Sequence, residues 1–207
     1  MMAASIDTLL TDVGGVLLTN GWDHEARARA IAHFNLDAAE VDERHRQSFE
    51  TYELGKITLD EYLKWVVFYR EQPFSPDDFK QFMFAQSQPY PQMLALLRDV
   101  RRRYGLKIVV VSNEGRELTK YRIQQFHLDD FVDVYLVSGY VRLRKPDPDI
   151  YRLAVDVAMV SLDRCLYLED RPLFVEVARE QGIPSLRHES YEATKAALAA
   201  RGLTTTG

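Results

Sequence analysis

The chain has 207 residues, with 26 Lys and Arg against 31 Asp and Glu and a formal net charge of −5. Hydrophobic residues make up 46%, which excludes general disorder and allows a substantial core without disulfide or metal staples. The acidic balance argues against nucleic acid or an anionic membrane as the main partner, and no apolar run approaches the ~20 residues of a membrane span.

Residues 1–5 carry neither the basic nor the long apolar segment of a signal peptide. Residues 6–11 are an apolar run short enough for a strand. The run ends at Asp12, and Gly14 and Gly15 follow. An acid at the carboxyl end of a strand sits where ligands bind in open α/β sheets. The two glycines let the backbone come close to a bound group.

From Asp23 to about Gln88 the pattern is helical and poor in strands. Asp23 is expected to cap a helix carrying Ala26, Ala30, Ile31 and Phe34, and Asp37 the next, through Val41, His45, Phe49 and Tyr52 toward Gly55. Thr58-Leu59-Asp60-Glu61 reads as a capping box, opening a helix that holds Tyr62, Leu63, Trp65, Val66 and Tyr69. Ser75 followed by Pro76 opens another, with Phe79, Phe82 and Met83. Short loops between these helices predict a small bundle, its aromatics serving as core.

After Pro89 the pattern changes. Met93, Leu94, Leu97 and Val100 recur at helical spacing, and residues 106–111 then read as a strand buried on both faces. Residues 117–126 are expected to be helical, and 132–137 to form another buried strand. Helices over 147–158, 172–181 and 191–200 then alternate with strands over 165–168 and 183–186. Cys165, the single cysteine, falls in the first of these strands and is expected in the core. One thiol makes no internal disulfide, so a reducing cytoplasm is the expected location. Strand–helix alternation with right-handed crossovers predicts an α/β fold: a doubly wound, Rossmann-like parallel sheet interrupted early by an α-helical bundle.

Three more strand ends carry polar groups. Ser112-Asn113 follows one, Arg142-Leu143-Arg144-Lys145-Pro146-Asp147 lies beyond the next, and Glu169-Asp170 closes the third. With Asp12 they converge on one edge of the sheet. Three neighbouring carboxylates repel unless a cation intervenes, and Mg²⁺ with its preference for oxygen ligands suits them. A lysine, a hydroxyl and backbone N–H groups beside that cation suit a phosphoryl group.

Asp12-Val13-Gly14-Gly15-Val16-Leu17, Val111-Ser112-Asn113, Arg144-Lys145-Pro146-Asp147 and Leu168-Glu169-Asp170-Arg171-Pro172 come in this order, each after an expected strand. So arranged, the sequence resembles the haloacid dehalogenase superfamily over nearly its whole length. The resemblance implies a core of residues 1–18 and 89–207 and an early helical cap of residues 19–88. It also implies Asp12 as a nucleophile forming an aspartyl-phosphate, with Mg²⁺ held by Asp12, the Gly14 carbonyl and Asp170, and Glu169 close by. The Gly14-Gly15 loop, Ser112 and the Asn113 N–H would receive the phosphate, and Lys145 would neutralise charge. The expected activity is that of a phosphatase of a small phosphorylated metabolite, such as a sugar phosphate.

Two departures bear on this expectation. Family phosphatases commonly place a second aspartate two residues after the nucleophile, where this chain has Gly14. Loss of a general acid/base typically costs ~10²–10⁴ in rate. Such a site takes leaving groups that need little protonation, borrows an acid from the cap (Asp23, His24 or Glu25), or has lost hydrolysis. The second departure is Phe174, where relatives often have asparagine. Arg116 and Arg171 are expected in exposed salt bridges. The alternatives are a 2-haloacid dehalogenase with the same nucleophile and no metal, and a protein that only binds a phosphorylated ligand.

Overall fold

The computed structural model describes residues 6–205; the N-terminal stretch expected to hold no leader lies outside it, as do residues 206–207. Strand β1 (Thr8–Thr11) is followed by four helices: α1 (His24–His33), α2 (Ala38–Glu53), α3 (Leu59–Val66) and α4 (Pro76–Ala85). Next come α5 (Pro91–Tyr104), β2 (Lys107–Ser112), α6 (Arg116–Phe126), β3 (Val134–Val137) and the single turn α7 (Ser138–Val141). The chain ends with α8 (Pro148–Ala158), β4 (Cys165–Glu169), α9 (Pro172–Glu180), β5 (Ser185–Arg187) and α10 (Tyr191–Ala199). Among the described residues, no helix is long and apolar enough to cross a membrane.

The strands pair in parallel in the order β3-β2-β1-β4-β5. Their apolar runs are continuous because both faces are covered. Leu9, Ile108, Val110, Leu166 and Leu168 face one core with Met93, Leu97 and Val100 of α5 and Leu198 of α10. Leu10, Val109, Val111, Cys165 and Tyr167 face the other, with Ile150, Tyr151 and Ala154 of α8 and Ala178 of α9. Each fully buried aliphatic side chain contributes roughly 1.5–3 kcal/mol, so the two-sided burial is the main force holding the sheet.

A third cluster is made by the insertion alone and includes Trp22, Tyr52, Leu59, Tyr62, Leu63, Phe79 and Met83. Its helix starts follow the sequence: Asp23 caps α1, Asp37 caps α2, and Thr58–Glu61 and Ser75–Asp78 form capping boxes. Two aromatics depart from the expectation of a common core. Helix α3 ends at Val66, so Tyr69 lies beyond it, under the Arg44 guanidinium. Trp65 is 46% exposed because Leu59, Tyr62, Leu63 and Val66 occupy the inward face. Strand β3 starts at Val134 rather than at residue 132, since the Asp133 carboxylate accepts the Ile108 N–H that a strand partner would take.

The chain enters and leaves the insertion through one paired crossing. Leu18 bridges Pro89 antiparallel, Thr19 N–H donates to the Gln88 carbonyl at 2.8 Å, and Tyr90 N–H donates to Leu17 O at 2.9 Å. Arg122 of α6, fully buried, donates to Thr19 O (2.8 Å), Ser87 Oγ (3.0 Å) and Glu114 Oε1 (2.5 Å), and so ties both segments to the sheet domain.

Candidate active site

Parallel register brings the strand ends level. Thr11 pairs with Val110 on one side and Leu168 on the other, so Asp12, Ser112 and Glu169 leave the sheet at one edge. Asp12 is buried; its Oδ1 accepts the Val13 N–H at 2.7 Å and its Oδ2 lies 2.9 Å from Lys145 Nζ. Burial raises the Asp12 pKa, with Lys145 opposing and Glu169 adding to the rise.

Lys145 is no solvated surface charge but fully buried. Besides Asp12 it donates to Glu169 Oε2 at 2.6 Å and to the Tyr167 hydroxyl at 3.2 Å. Burial alone would lower its pKa; the carboxylates of Asp12 and Glu169 override that and hold the ammonium charged. The Asn113 side chain fixes the lysine's backbone, accepting from Lys145 N–H at 2.7 Å and donating to Lys145 O at 2.8 Å. Phe174 sets its ring 5.2 Å from Lys145 Nζ and accepts the Tyr151 hydroxyl proton at its carbonyl.

Asp12, Glu169 and Asp170 each offer a carboxylate oxygen, all within 4.8 Å of one another. Lys145 reaches only two of the three carboxylates, and Asp170 Oδ1 is buried with no hydrogen-bond partner among the described residues. Uncompensated charge of this kind is costly away from water. An oxygen-only donor set with surplus negative charge fits a hard divalent cation. Gly15 lies directly against Asp170: at φ +75°, a Cβ there would overlap the Asp170 carboxylate. Gly14 has no such backbone requirement; a Cβ on it would come 2.8 Å from Asn20 Oδ1.

Above this edge lies a cavity of about 280 Å³, walled by both the sheet domain and the insertion. Asp12, Gly14, Ser112, Asn113 and Lys145 line it, as do Asn20, Tyr52, Glu53, Glu114, Arg144 and Arg171. Glu169 and Asp170 lie behind that wall, and Asp170 with Gly15 opens onto a second hollow beside His188 and Glu192. Asp23 and His24 line the main cavity, but Asp23 is engaged in capping α1, while Glu25 is exposed and outside the lining. Among the described residues neither Arg116 nor Arg171 makes the expected salt bridge. Arg116 donates to Gly139 O at 2.5 Å, and the Arg171 guanidinium packs 5.5 Å from the Phe174 ring centre.

Two ion pairs in the cavity wall, the first buried and the second half-buried, have no local sequence signal. Glu114 pairs with Arg122 (2.5 Å), and Arg144 reaches from the sheet domain to Glu53 on α2 (2.7 Å). Arg122 could have been noticed as an arginine on the same stripe of α6 as Leu118 and Thr119. Glu53 lies at the end of α2, and only tertiary packing brings it to the site.

The sequence matches the haloacid dehalogenase-like hydrolase family over residues 6–182. A phosphatase of Mycobacterium tuberculosis is 36% identical over 100 residues, 48% of this chain and 46% of that protein. The chain thus spans about half the length of that curated relative. A haloacid dehalogenase family enzyme of Bacteroides thetaiotaomicron superposes with a TM-score of 0.77 at 20% identity, covering 88% of this chain and 93% of that one. The same enzyme in complex with magnesium and inorganic phosphate gives 0.72 at 21% identity, covering 88% and 94%. The L-2-haloacid dehalogenase of Xanthobacter autotrophicus gives 0.63 at 17% identity, covering 96% and 84%. At these identities the structural likeness is one of fold.

Proposed function

The chain belongs to the haloacid dehalogenase-like hydrolases, and from that premise we propose that it is a magnesium-dependent phosphatase of a small phosphorylated metabolite. The observation that carries the proposal is the unpartnered Asp170 oxygen beside Asp12 and Glu169. A dehalogenase that attacks carbon without a metal has no use for this surplus of carboxylates. The Mycobacterium phosphatase and the magnesium–phosphate complex of the Bacteroides enzyme support the same reading.

In this reading residues 19–88 form a cap over a core of residues 1–18 and 89–207, and substrate occupies the cavity between them. Asp12 attacks phosphorus and becomes an aspartyl-phosphate, which water then cleaves. Lys145 holds the Asp12 carboxylate in place and offsets charge on the phosphoryl group. The Ser112 hydroxyl and the Asn113 N–H receive phosphate oxygens, with the Gly14-Gly15 loop beside them; the Gly15 N–H itself is held by Leu18 O at 2.7 Å. A bound Mg²⁺, held by Asp12, the Gly14 carbonyl and Asp170 with Glu169 adjacent, supplies further charge neutralisation. The protein's contribution is positioning and electrostatic stabilisation, which is what phosphoryl transfer needs.

The test is a panel of phosphate compounds, including acetyl phosphate, nitrophenyl phosphate and sugar phosphates, alongside L-2-chloropropionate. Each is assayed with EDTA and after Mg²⁺ is restored. Phosphate release that EDTA abolishes and Mg²⁺ restores is expected. Metal-independent release of chloride overturns the reading, and inactivity on every compound favours a binding protein.

A further inference from the structure

Resting on the phosphatase reading above, the reaction needs a proton for the leaving oxygen and a base for the attacking water. Position 14 supplies neither, and Asn20 already fills the space beside it, 2.8 Å from where a Cβ would stand. Four other carboxyl or imidazole side chains line the cavity: Asp23, His24, Glu53 and Glu114; the Tyr52 hydroxyl lines it too, but burial pushes its pKa well above the ordinary phenol value, too high to cycle a proton near neutral pH.

A carboxyl that cycles a proton needs an oxygen not already committed to a donor. Asp23 accepts the Ala26 N–H as a helix cap. Glu114 accepts from Arg122 Nη1 at 2.5 Å in a pair buried on both sides, so it is committed to that guanidinium. His24 stands at the exposed rim. Glu53 differs from all three. It is 7% exposed and lines the cavity, yet its Oε2 accepts no aligned hydrogen bond among the described residues. Arg144 Nη2 lies 2.7 Å from Oε2 as an ion pair, but Oε2 has no hydrogen-bond geometry to any donor.

The backbone of Glu53 is anchored to the core beside the phosphate loop. Ser138 Oγ donates to Glu53 O at 2.8 Å and accepts the Glu114 N–H at 2.9 Å, two residues after Ser112. The cap thus delivers a buried carboxyl to the cavity at a fixed place.

We propose that Glu53 is the general acid and base of this site. In the first step an Asp12 oxygen bonds to phosphorus and the bond from phosphorus to the leaving oxygen breaks. The Glu53 carboxyl gives its proton to that oxygen, releasing the alcohol. In the second step the Glu53 carboxylate takes a proton from water, whose oxygen bonds to phosphorus. The Asp12–phosphorus bond breaks, freeing inorganic phosphate and restoring both carboxyl groups. Burial raises the pKa of Glu53; Arg144 and then Arg171 oppose the rise, and Glu114 adds to it.

The experiment measures kcat/KM with saturating Mg²⁺ across a leaving-group series from acetyl and nitrophenyl phosphate to alkyl phosphates. Wild type, Glu53→Gln and His24→Gln are compared, each checked for folding by circular dichroism. Wild type and His24→Gln are expected to depend only shallowly on leaving-group pKa. Glu53→Gln keeps its kcat/KM on nitrophenyl phosphate, loses about 10²–10⁴-fold on alkyl phosphates, and shows a burst of nitrophenol as the phosphoenzyme accumulates. A merely structural role for Glu53 lowers the whole series in parallel. Parallel or unchanged lines for Glu53→Gln, or a steep line for His24→Gln, overturn the assignment while leaving the phosphatase reading intact. A wild type that cleaves no phosphate compound overturns both.

Discussion

Lys145 spends its ammonium protons inside the protein, on Asp12, Glu169 and the Tyr167 hydroxyl. A buried pair of this kind is costly to break from one side, by roughly 3–5 kcal/mol, because the remaining charge has nowhere to go. The lysine is therefore as much a part of the local fold as of the chemistry. Asn20 plays the opposite part at position 14, where it occupies room rather than bonding. Gly14→Asp alone is expected to leave turnover of alkyl phosphates unimproved, because the new side chain meets Asn20. In a Glu53→Gln background, Gly14→Asp combined with Asn20→Gly should restore it, within the ~10²–10⁴ that an acid/base supplies; kcat/KM with and without Asn20→Gly checks this. Asp12, Ser112, Lys145 and the Glu169-Asp170 pair were legible in the sequence because each follows a strand, and parallel register aligns strand ends. Glu53 and Asn20 were not. Their nearness to Asp12 depends on how the insertion packs against the sheet domain, which no local pattern encodes.

Among the elements, α1–α4 were legible from their caps and their apolar spacing, since both are written within a turn or two of chain. The turn α7 was missed: Ser138 and Gly139 have no helical pattern, and the turn is stabilised by contacts with distant parts of the chain. Gly139 packs against Gly55, whose φ of +63° and lack of Cβ permit the approach. Inside the insertion a hydrogen-bond chain links two rings to Tyr62. The Trp22 indole N–H donates to the Tyr62 hydroxyl at 3.0 Å, and that hydroxyl is hydrogen-bonded to His45 Nδ1 at 2.8 Å. Burial, helped by the Arg27 charge, lowers the His45 pKa from 6.5 to about 3. The unfolded chain binds this proton below pH 6.5 while the folded chain does so only near pH 3. Stability from neutral His45 is therefore complete above pH 6.5 and is lost as pH falls toward 3. The slope is about 1.4 kcal/mol per pH unit for one proton. Urea midpoints between neutral and acid pH should fall less steeply for His45→Gln, which retains an acceptor for Tyr62.

For the whole molecule, the surplus of carboxylates at the sheet edge links cation binding to folding. A cation that binds the native site and not the unfolded chain adds about 2.7 kcal/mol at a hundred times its Kd. Mg²⁺ is therefore expected to raise the thermal midpoint of wild type and to leave that of Asp170→Asn nearly unmoved, as read by calorimetry without any substrate. The same residue change removes a charge that lacks a partner in the metal-free state. Asp170→Asn should thus start from a midpoint no lower than that of metal-free wild type.

The paired crossing at Leu18 and Pro89 also separates two engineering problems. Its two strands are tied to each other and, through Arg122, to the sheet domain, so the insertion begins and ends at neighbouring points on a firm base. Closing a loop between such points costs only ~0.6 kcal/mol more for each doubling of its length. The sheet domain is thereby nearly indifferent to the size of what is mounted on it. Another helical module could be grafted there without redesigning the core, and ligand choice changed by transplantation, provided the graft brings a carboxyl to the place of Glu53 while Asp12, Ser112 and Lys145 below stay as they are.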